Sequence, residues 1–365
     1  MAPAPTAAMR HTAVQSGAAN ERSPKMHATT IGLDLAKNNF QVHGVADDGS
    51  VVFNRSLRRA QLLTFFQSQQ PCLVGMEACA TSHYWARELT ALGHEVRLMP
   101  PNYVKPYVKR GKSDAADAEA ICEAVTRPSM RTVPVKSVSQ QSLLCQHRAR
   151  ELLVGQRTQL SNSIRGLLGE FGETIRSGAG HLRDFAQSIK NGSMPDLPAA
   201  ARHVISALCD QLINIHNAIL LLDRQIYAAG RTDHRIRLLR SIPGIGPITA
   251  SAIVATIGSA DTFKSGRDLA AWIGLTPINK SSGGKERLGG ISKKGDRYLR
   301  KLLVVGMTSR IAAARAHPER ADPWITNILQ RKPARVATVA IANKTARIVW
   351  AVLSRDEPYL ARASA

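Results

Sequence analysis

The sequence predicts two kinds of architecture in succession, an α/β region at the front and mostly helical regions behind it. Three observations predict this. Short apolar runs separated by turn residues fill positions 28–127. Beyond position 138, apolar residues recur at alternating spacings of three and four. Four carboxylates, Asp34, Glu77, Asp114 and Asp117, sit where front strands end and where the last front helix begins.

The front region reads as strands at 30–35, 40–45, 51–57, 72–76 and 96–99, with helices near 59–69, 81–92 and 114–126. Asp47-Asp48-Gly49-Ser50 joins the second and third strands as a hairpin. Three strands followed by alternating strand and helix is the order of a ribonuclease-H-like fold. In that fold, acids gather at the ends of the central strands and on a late helix. Asp34 closes the apolar run IGLD, and Glu77 closes LVGME. A charge at the end of such a run costs free energy unless it is paired or bound to metal. Asp114 and Asp117 in KSDAADAEAI are three apart, so a helix places both on one face. Asp114 is also suited to cap that helix. Carboxylates crowded into one site repel one another. Two Mg²⁺ ions, with Mn²⁺ as the alternative, would relieve the repulsion and activate a phosphate for displacement. The four acids are therefore read as the ligands of a metal-dependent nuclease centre. Glu119 and Glu123 read as surface acids. His83, His94 and His147 lack metal-ligand spacing, and Tyr84 and Trp85 read as core or RNA-facing packing.

Behind this region, Ile205, Leu208, Leu212, Ile215, Ile219, Leu222 and Ile226 form a heptad seam. A second helix near 139–171 carries Leu160, Ile164, Leu167 and Phe171 on one stripe. With a Gly-, Ser- and Pro-rich loop at about 172–197 between them, the pair predicts an antiparallel hairpin or a dimerisation coiled coil. A third unit opens with LLRSIPGIGPITASAIVATIG, a helix-hairpin-helix pattern. Gly244 and Gly246 allow close approach there, and the following helix N-terminus offers N–H groups to a phosphate. Next comes INKSSGGKERLGGISKKGDRYLRKLL, with Ser281 and Ser282 in a glycine-rich turn. From Lys285 to Lys301 there are seven Lys or Arg and two acids. Lys285, Arg287, Lys293, Lys294, Arg297 and Arg300 are candidate phosphate clamps. Helices at about 299–316 and 334–353 close the domain.

The 365 residues carry 49 Lys plus Arg against 27 Asp plus Glu, a net charge of +22. Such an excess points to a polyanion, most plausibly nucleic acid. Aromatics at 5% argue against a base-stacking single-strand binder. Five cysteines without a CxxC pair argue against zinc ligation and a disulfide framework, leaving reduced thiols. No apolar run approaches the roughly 18 residues of a membrane span. Residues 1–27, rich in Ala, Pro and Ser, read as a disordered tail without a secretory signal, with Met26 as an alternative start.

The stretches IGLDLAK, VGMEACATSHYWAREL, VKRGKSDAADAEAI, IPGIGPITA and WIGLTPINKSSGGKERLGGISKKGDRYLRKLL, in this order over about 28–352, resemble the IS-one-ten family of insertion-sequence transposases, and within it the IS-eleven-eleven subgroup. The resemblance implies a RuvC-like DEDD domain at 28–130, coiled-coil or dimerisation helices at 138–230, and a C-terminal transposase domain with helix-hairpin-helix at 237–355. It carries the metal-ligand role to Asp34, Glu77, Asp114 and Asp117, and a serine nucleophile to Ser282, with Ser281 one residue away. It implies donor and target double-stranded DNA, and a noncoding bridge RNA from the element's flank that chooses both. It also implies a homo-oligomer, dimer or tetramer, in which the acids of one protomer complete a site with the serine of another. A bacterial, cytoplasmic, nucleoid-associated setting and no membrane partner follow. The expected activity is metal-assisted serine transesterification on DNA. A RuvC-like structure-specific endonuclease using metal-activated water is the alternative, and a non-catalytic nucleic-acid scaffold is the second.

Overall fold

The computed structural model describes residues 26–360 except Arg110, Lys112, Ser282, Gly283 and Glu286. Most of the expected N-terminal tail and the expected nucleophile Ser282 therefore lie outside the described residues. The chain divides into two compact units, Met1–Val135 and Lys136–Ala365. The helices expected at 138–230 and the domain expected at 237–355 fall within the second of these.

The first unit is built on five strands: β1 Thr30–Asp34, β2 Asn39–Val45, β3 Val51–Arg58, β4 Leu73–Glu77 and β5 Glu95–Met99. Their order in the sheet is β3-β2-β1-β4-β5. β1, β2 and β3 run antiparallel, and β4 and β5 extend the sheet parallel to β1. This mixed sheet is consistent with a ribonuclease-H-like fold. Gly49 at φ 82° makes the tight β2–β3 turn that the sequence predicts. α1 Leu62–Gln67 lies between β3 and β4, α2 Ser82–Ala91 lies between β4 and β5, and α3 Pro101–Val104 and α4 Asp114–Val125 follow β5. Ile31, Leu33, Phe40, Val42, Val74 and Met76 form the buried floor.

α4 lies directly on β1, because β1 has no side chain at Gly32. A Cβ there would stand 2.1 Å from the Ala118 carbonyl oxygen and 2.5 Å from the Cys122 nitrogen. Gly75 of β4 does the same beneath Val125, where a Cβ would meet the valine Cβ at 2.7 Å. Gly32 stands two residues before Asp34, so the close approach also sets how α4 presents its first turn. We predict that Gly32→Ala lifts α4, destabilises the unit by about 1–3 kcal/mol, as overpacking does, and abolishes activity. Urea unfolding of the variant beside a recombination assay measures both.

The second unit contains α5 Val138–Gly169, α6 Ala179–Lys190, α7 Ala199–Thr232, α8 His234–Arg240, α9 Pro247–Ile257, α10 Gly266–Trp272, α11 Arg297–Ala316, α12 Pro323–Arg331 and α13 Ala334–Arg355. A small hairpin, β6 Pro277–Asn279 with β7 Leu288–Ile291, precedes α11. α5 and α7 pack against each other, and Arg150 of α5 pairs with Asp223 of α7. Ile164 and Leu168, far along α5, share a core with Ile205 and Leu212 near the start of α7. The two helices are therefore antiparallel, the hairpin form of the two arrangements expected. Every seventh seam residue, Ile205, Leu212, Ile219 and Ile226, is buried, while Leu208, Ile215 and Leu222 are half-buried. The loop expected at 172–197 contains α6, whose Leu182, Ala186 and Ile189 join that same core. The Gly, Ser and Pro residues that suggested a loop flank this helix rather than fill it. α7 and α13 are long and apolar enough for a membrane span by length and composition alone, although neither holds an unbroken apolar run of that length. Their apolar residues are spread along a face instead of run together. On α13, Ala337, Ile341, Ala342, Ala346 and Val349 are buried.

His147 of α5 is 1% exposed and bridges two other helices. Its Nδ1 lies 3.1 Å from Tyr298 Oη on α11, and its Nε2 lies 3.0 Å from Ser251 Oγ on α9. Burial, and then the Arg150 charge, push its pKa from 6.5 down to about 4. The folded state thus binds fewer protons here than the unfolded chain between those values. Its contribution to stability is complete above pH 6.5 and is lost as pH falls toward 4. We predict that His147→Gln costs about 1–3 kcal/mol at pH 7. The difference from wild type should shrink on acidification, as followed by urea melts across that range.

Candidate active site

Asp34 is the last residue of β1 and is half-buried. Asp114 and Asp117 lie in the first turn of α4. The cap of that helix is Ser113, whose Oγ accepts a hydrogen bond from the Ala116 N–H at 3.2 Å. Asp114 is thus not the cap, and its carboxylate is left for the site. One ligand oxygen from each of Asp34, Asp114 and Asp117 lies within 4.8 Å of the others. Glu77 ends β4, the parallel neighbour of β1, and stands outside that tight trio. It is nevertheless coupled to it: burial first, then Asp34 and Asp117, hold its carboxyl above the usual range. The Asp34 carboxyl is likewise raised, by burial first, then by Asp117 and Asp114. Asp34 and Glu77 therefore sense the negative charge of neighbouring carboxylates, the electrostatic condition that a divalent cation relieves. The all-oxygen donor set suits a hard cation such as Mg²⁺ or Mn²⁺.

The basic segment of the second unit is built differently. Lys280 N–H donates to the Arg287 carbonyl at 2.8 Å, closing the loop between β6 and β7. Ser281 is tied into this loop: its N–H donates to Asn279 Oδ1 at 2.8 Å, and its Oγ accepts from Arg287 N–H at 3.1 Å. Lys293 takes a left-handed backbone, φ 53°, and its N–H reaches the Gly274 carbonyl at 3.1 Å. A Cβ at Gly295 would sit 1.8 Å from the Trp272 carbonyl oxygen, so the segment is docked backbone on backbone against the end of α10. Asp296 caps α11, accepting from Leu299 N–H at 2.8 Å. Lys285, Arg287, Lys293, Lys294 and Arg297 are exposed. Arg300 differs, since its Nη1 donates to the Ile273 carbonyl at 2.7 Å.

The two hairpin glycines also separate. Gly244, at φ 86°, would put a Cβ 2.5 Å from Met307 Cε and 3.2 Å from the Gly306 carbonyl. Its close approach is to α11, inside the unit. Gly246 has open space and leads into Pro247 at the start of α9, the position suited to a phosphate. Gly274, Gly295 and Gly306, which the sequence does not single out, hold the basic segment and hairpin in place. Their signal, glycines next to otherwise helical or strand-like runs, is common to many turns.

A transposase model of the IS110 DEDD type matches residues 31–172, and the model described as "Transposase IS116/IS110/IS902 family" matches residues 236–322. A "Probable family 20 transposase" of Pseudomonas aeruginosa is 50% identical over 92% of this chain and 99% of its own length. The chain belongs to the IS110/IS116/IS902 transposase family. The "Transposase for insertion sequence element IS1111A" of Coxiella burnetii is 37% identical over 90% of both chains. The "Transposase for insertion sequence element IS1328" of Yersinia enterocolitica is 36% identical over 90% of this chain and 98% of its own. This protein is thus an insertion-sequence transposase, and its substrate is DNA. The DEDD match begins at Ile31 and spans Asp34, Glu77, Asp114 and Asp117; the second match spans the hairpin glycines and the basic segment.

Proposed function

We propose that this transposase cuts and rejoins DNA by serine transesterification, with Asp34, Glu77, Asp114 and Asp117 holding divalent cations, Mg²⁺ by preference. The observation that carries this reading is the carboxylate trio within 4.8 Å, with Asp34 held above its ordinary range. When bound, the cations polarise the scissile phosphate and neutralise charge developing on it. Ser282 Oγ attacks phosphorus, forming a serine–phosphate ester and breaking the bond to one sugar oxygen. The serine proton passes, in net terms, to that departing oxygen, which leaves as a free hydroxyl. A hydroxyl of another strand then attacks the ester and releases the serine, so the number of phosphoester bonds is conserved without ATP. Ser282 is favoured over Ser281 because the Ser281 hydroxyl already closes its own loop. Lys285, Arg287, Lys293, Lys294 and Arg297 hold phosphates, with Arg300 contributing while anchored to Ile273.

In this reading the N-terminal unit is RuvC-like, supported by its strand order. The α8–α9 pair acts as a helix-hairpin-helix contact through Gly246 and the α9 N-terminus, and α5 with α7 serves as a coiled-coil spacer. A noncoding bridge RNA from the element's flank, paired with donor and target DNA, fits a chain of net charge +22. The active form is a dimer or tetramer.

The test of the metal site is thermal. At pH 7, Mg²⁺ at 100 times its dissociation constant should stabilise the wild type by about 2.7 kcal/mol. The same addition should leave the Asp34→Asn, Asp117→Asn double variant unmoved. Equal shifts in both proteins contradict the site.

A further inference from the structure

The N-terminal unit carries a second charged feature, separate from the acids. No Asp or Glu occurs between Asp48 and Glu77, while Arg55, Arg58 and Arg59 fall within that stretch. β3 is an edge strand, and all three arginines are exposed on it or immediately after it. Among the described residues no carboxylate pairs with any of the three. Elsewhere in the unit Arg97 pairs with Glu95 and Arg127 with Glu123.

Two of the three are held in place by rings. The Arg55 guanidinium carbon lies 4.5 Å from the Phe65 ring centre and 5.8 Å from that of Phe53. That of Arg59 lies 4.9 Å from Trp85 and 5.9 Å from Phe40. A guanidinium over an aromatic face has its plane fixed and its edge N–H donors still free for a planar, charged partner. Tyr84, 42% exposed, meets Trp85 edge to face, the ring centres 4.9 Å apart.

Register places this edge beside the acids. Asp34 pairs with Gln41, and Gln41 with Ser56. Arg58 and Arg59 therefore lie just past Ser56, at the end of the sheet where Asp34 stands. The Arg59 N–H donates to the Asn38 carbonyl at 2.8 Å, in the turn that leaves Asp34, and the same turn exposes Lys37. From Arg55 to Arg58 the strand covers roughly 10 Å, about three nucleotides of rise along one DNA strand.

We propose that this edge is a DNA track, in which Lys37, Arg58, Arg59 and Arg55 hold phosphates of the substrate strand as it leaves the acidic centre. The track rests on the acids being the phosphoryl-transfer centre. It explains why this sheet edge carries cations alone, two of them pinned on rings, in a unit where Arg97 and Arg127 pair with carboxylates. Edge strands commonly carry charge against mispairing, but that role needs neither ring stacking nor placement at the catalytic end.

The test uses the full-length protein and a labelled duplex oligonucleotide carrying the element's end, with Ca²⁺ replacing Mg²⁺. Binding is followed by anisotropy across a salt series. The triple variant Arg55→Gln, Arg58→Gln, Arg59→Gln should flatten the slope of log K against log salt by about 2.7, at about 0.9 per lost phosphate contact. Arg97→Gln, which removes one charge at the opposite edge of the sheet, should leave the slope unchanged. Arg59→Lys should keep the slope but weaken binding several-fold, because an ammonium does not stack as a guanidinium does. Arg58 touches no ring, so Arg58→Gln alone, with an expected flattening of about 0.9, keeps the test valid if the triple variant melts early. A triple variant with the wild-type slope, or an Arg97→Gln effect as large as that of Arg58→Gln, overturns the track. Recombination that survives Asp34→Asn would instead defeat the catalytic reading, whatever the slope.

Discussion

Asp34→Asn abolishes recombination and, in the metal-free protein, raises the melting temperature. Both effects come from one carboxylate. Asp34 supplies an oxygen to the trio with Asp114 and Asp117, and its loss removes a ligand from the proposed cation site. The expected fall in recombination is about 10²–10³-fold, the scale of deleting a preorganised electrostatic group. The gain in stability follows from the raised carboxyl. A carboxyl whose pKa is higher in the fold than in the unfolded chain binds its proton more tightly when folded. Its contribution to stability is therefore present at low pH and is lost as pH rises from the ordinary value of 3.8 through the raised one. At pH 7 without metal, ionised Asp34 opposes folding, and the neutral amide of Asn does not. Calorimetry in EDTA should show the variant melting higher than wild type at pH 7, with the gap narrowing toward pH 4. A variant that melts lower at pH 7 and recombines normally would place Asp34 in the core as an ordinary structural residue.

Ser282→Ala should abolish recombination by a comparable factor, while Ser281→Ala retains most of it. The two serines are adjacent, yet their expected roles differ. Ser281 Oγ receives the Arg287 N–H and its own N–H meets Asn279 Oδ1, so it closes the β6–β7 loop. Losing one hydrogen bond of this kind costs about 1 kcal/mol, enough to loosen the loop but not to remove a nucleophile. Without Ser282 no ester to the protein can form. Cutting that persists in Ser282→Ala with water as the acceptor would select the hydrolytic endonuclease. Full recombination by a variant lacking all four acids would select the scaffold reading.

Much of the first unit was legible because strand period and turn chemistry agree there. Alternating apolar runs, the Asp47–Ser50 turn and the acids at strand ends all point to one sheet, and the strands fall within a residue or so of the expected positions. The second unit was less legible where structure depends on contacts distant in sequence. α6 sits among glycines and prolines and is held mainly by burial of Leu182, Ala186 and Ile189 against α5 and α7. α12 begins at Pro323 and is anchored by Ile325 in the large core. No local pattern announces either. At the site, residue type identified the acids, but which group caps α4 emerged only in the structure: Ser113 takes that role and leaves Asp114 free. Gly244 shows the same limit in reverse. That it allows close approach was legible from the Pro-Gly-Ile-Gly turn, whereas the partner it approaches, Gly306 of α11, lies far along the chain.

The most direct measurement of the central claim is denaturing capture of protein–DNA adducts from cells carrying the gene with its native flanks. The account predicts a covalent adduct in wild type, mapped by mass spectrometry to Ser282, and none in Asp34→Asn or Ser282→Ala. An adduct of undiminished yield in Asp34→Asn, or one mapped to any other residue, would contradict it.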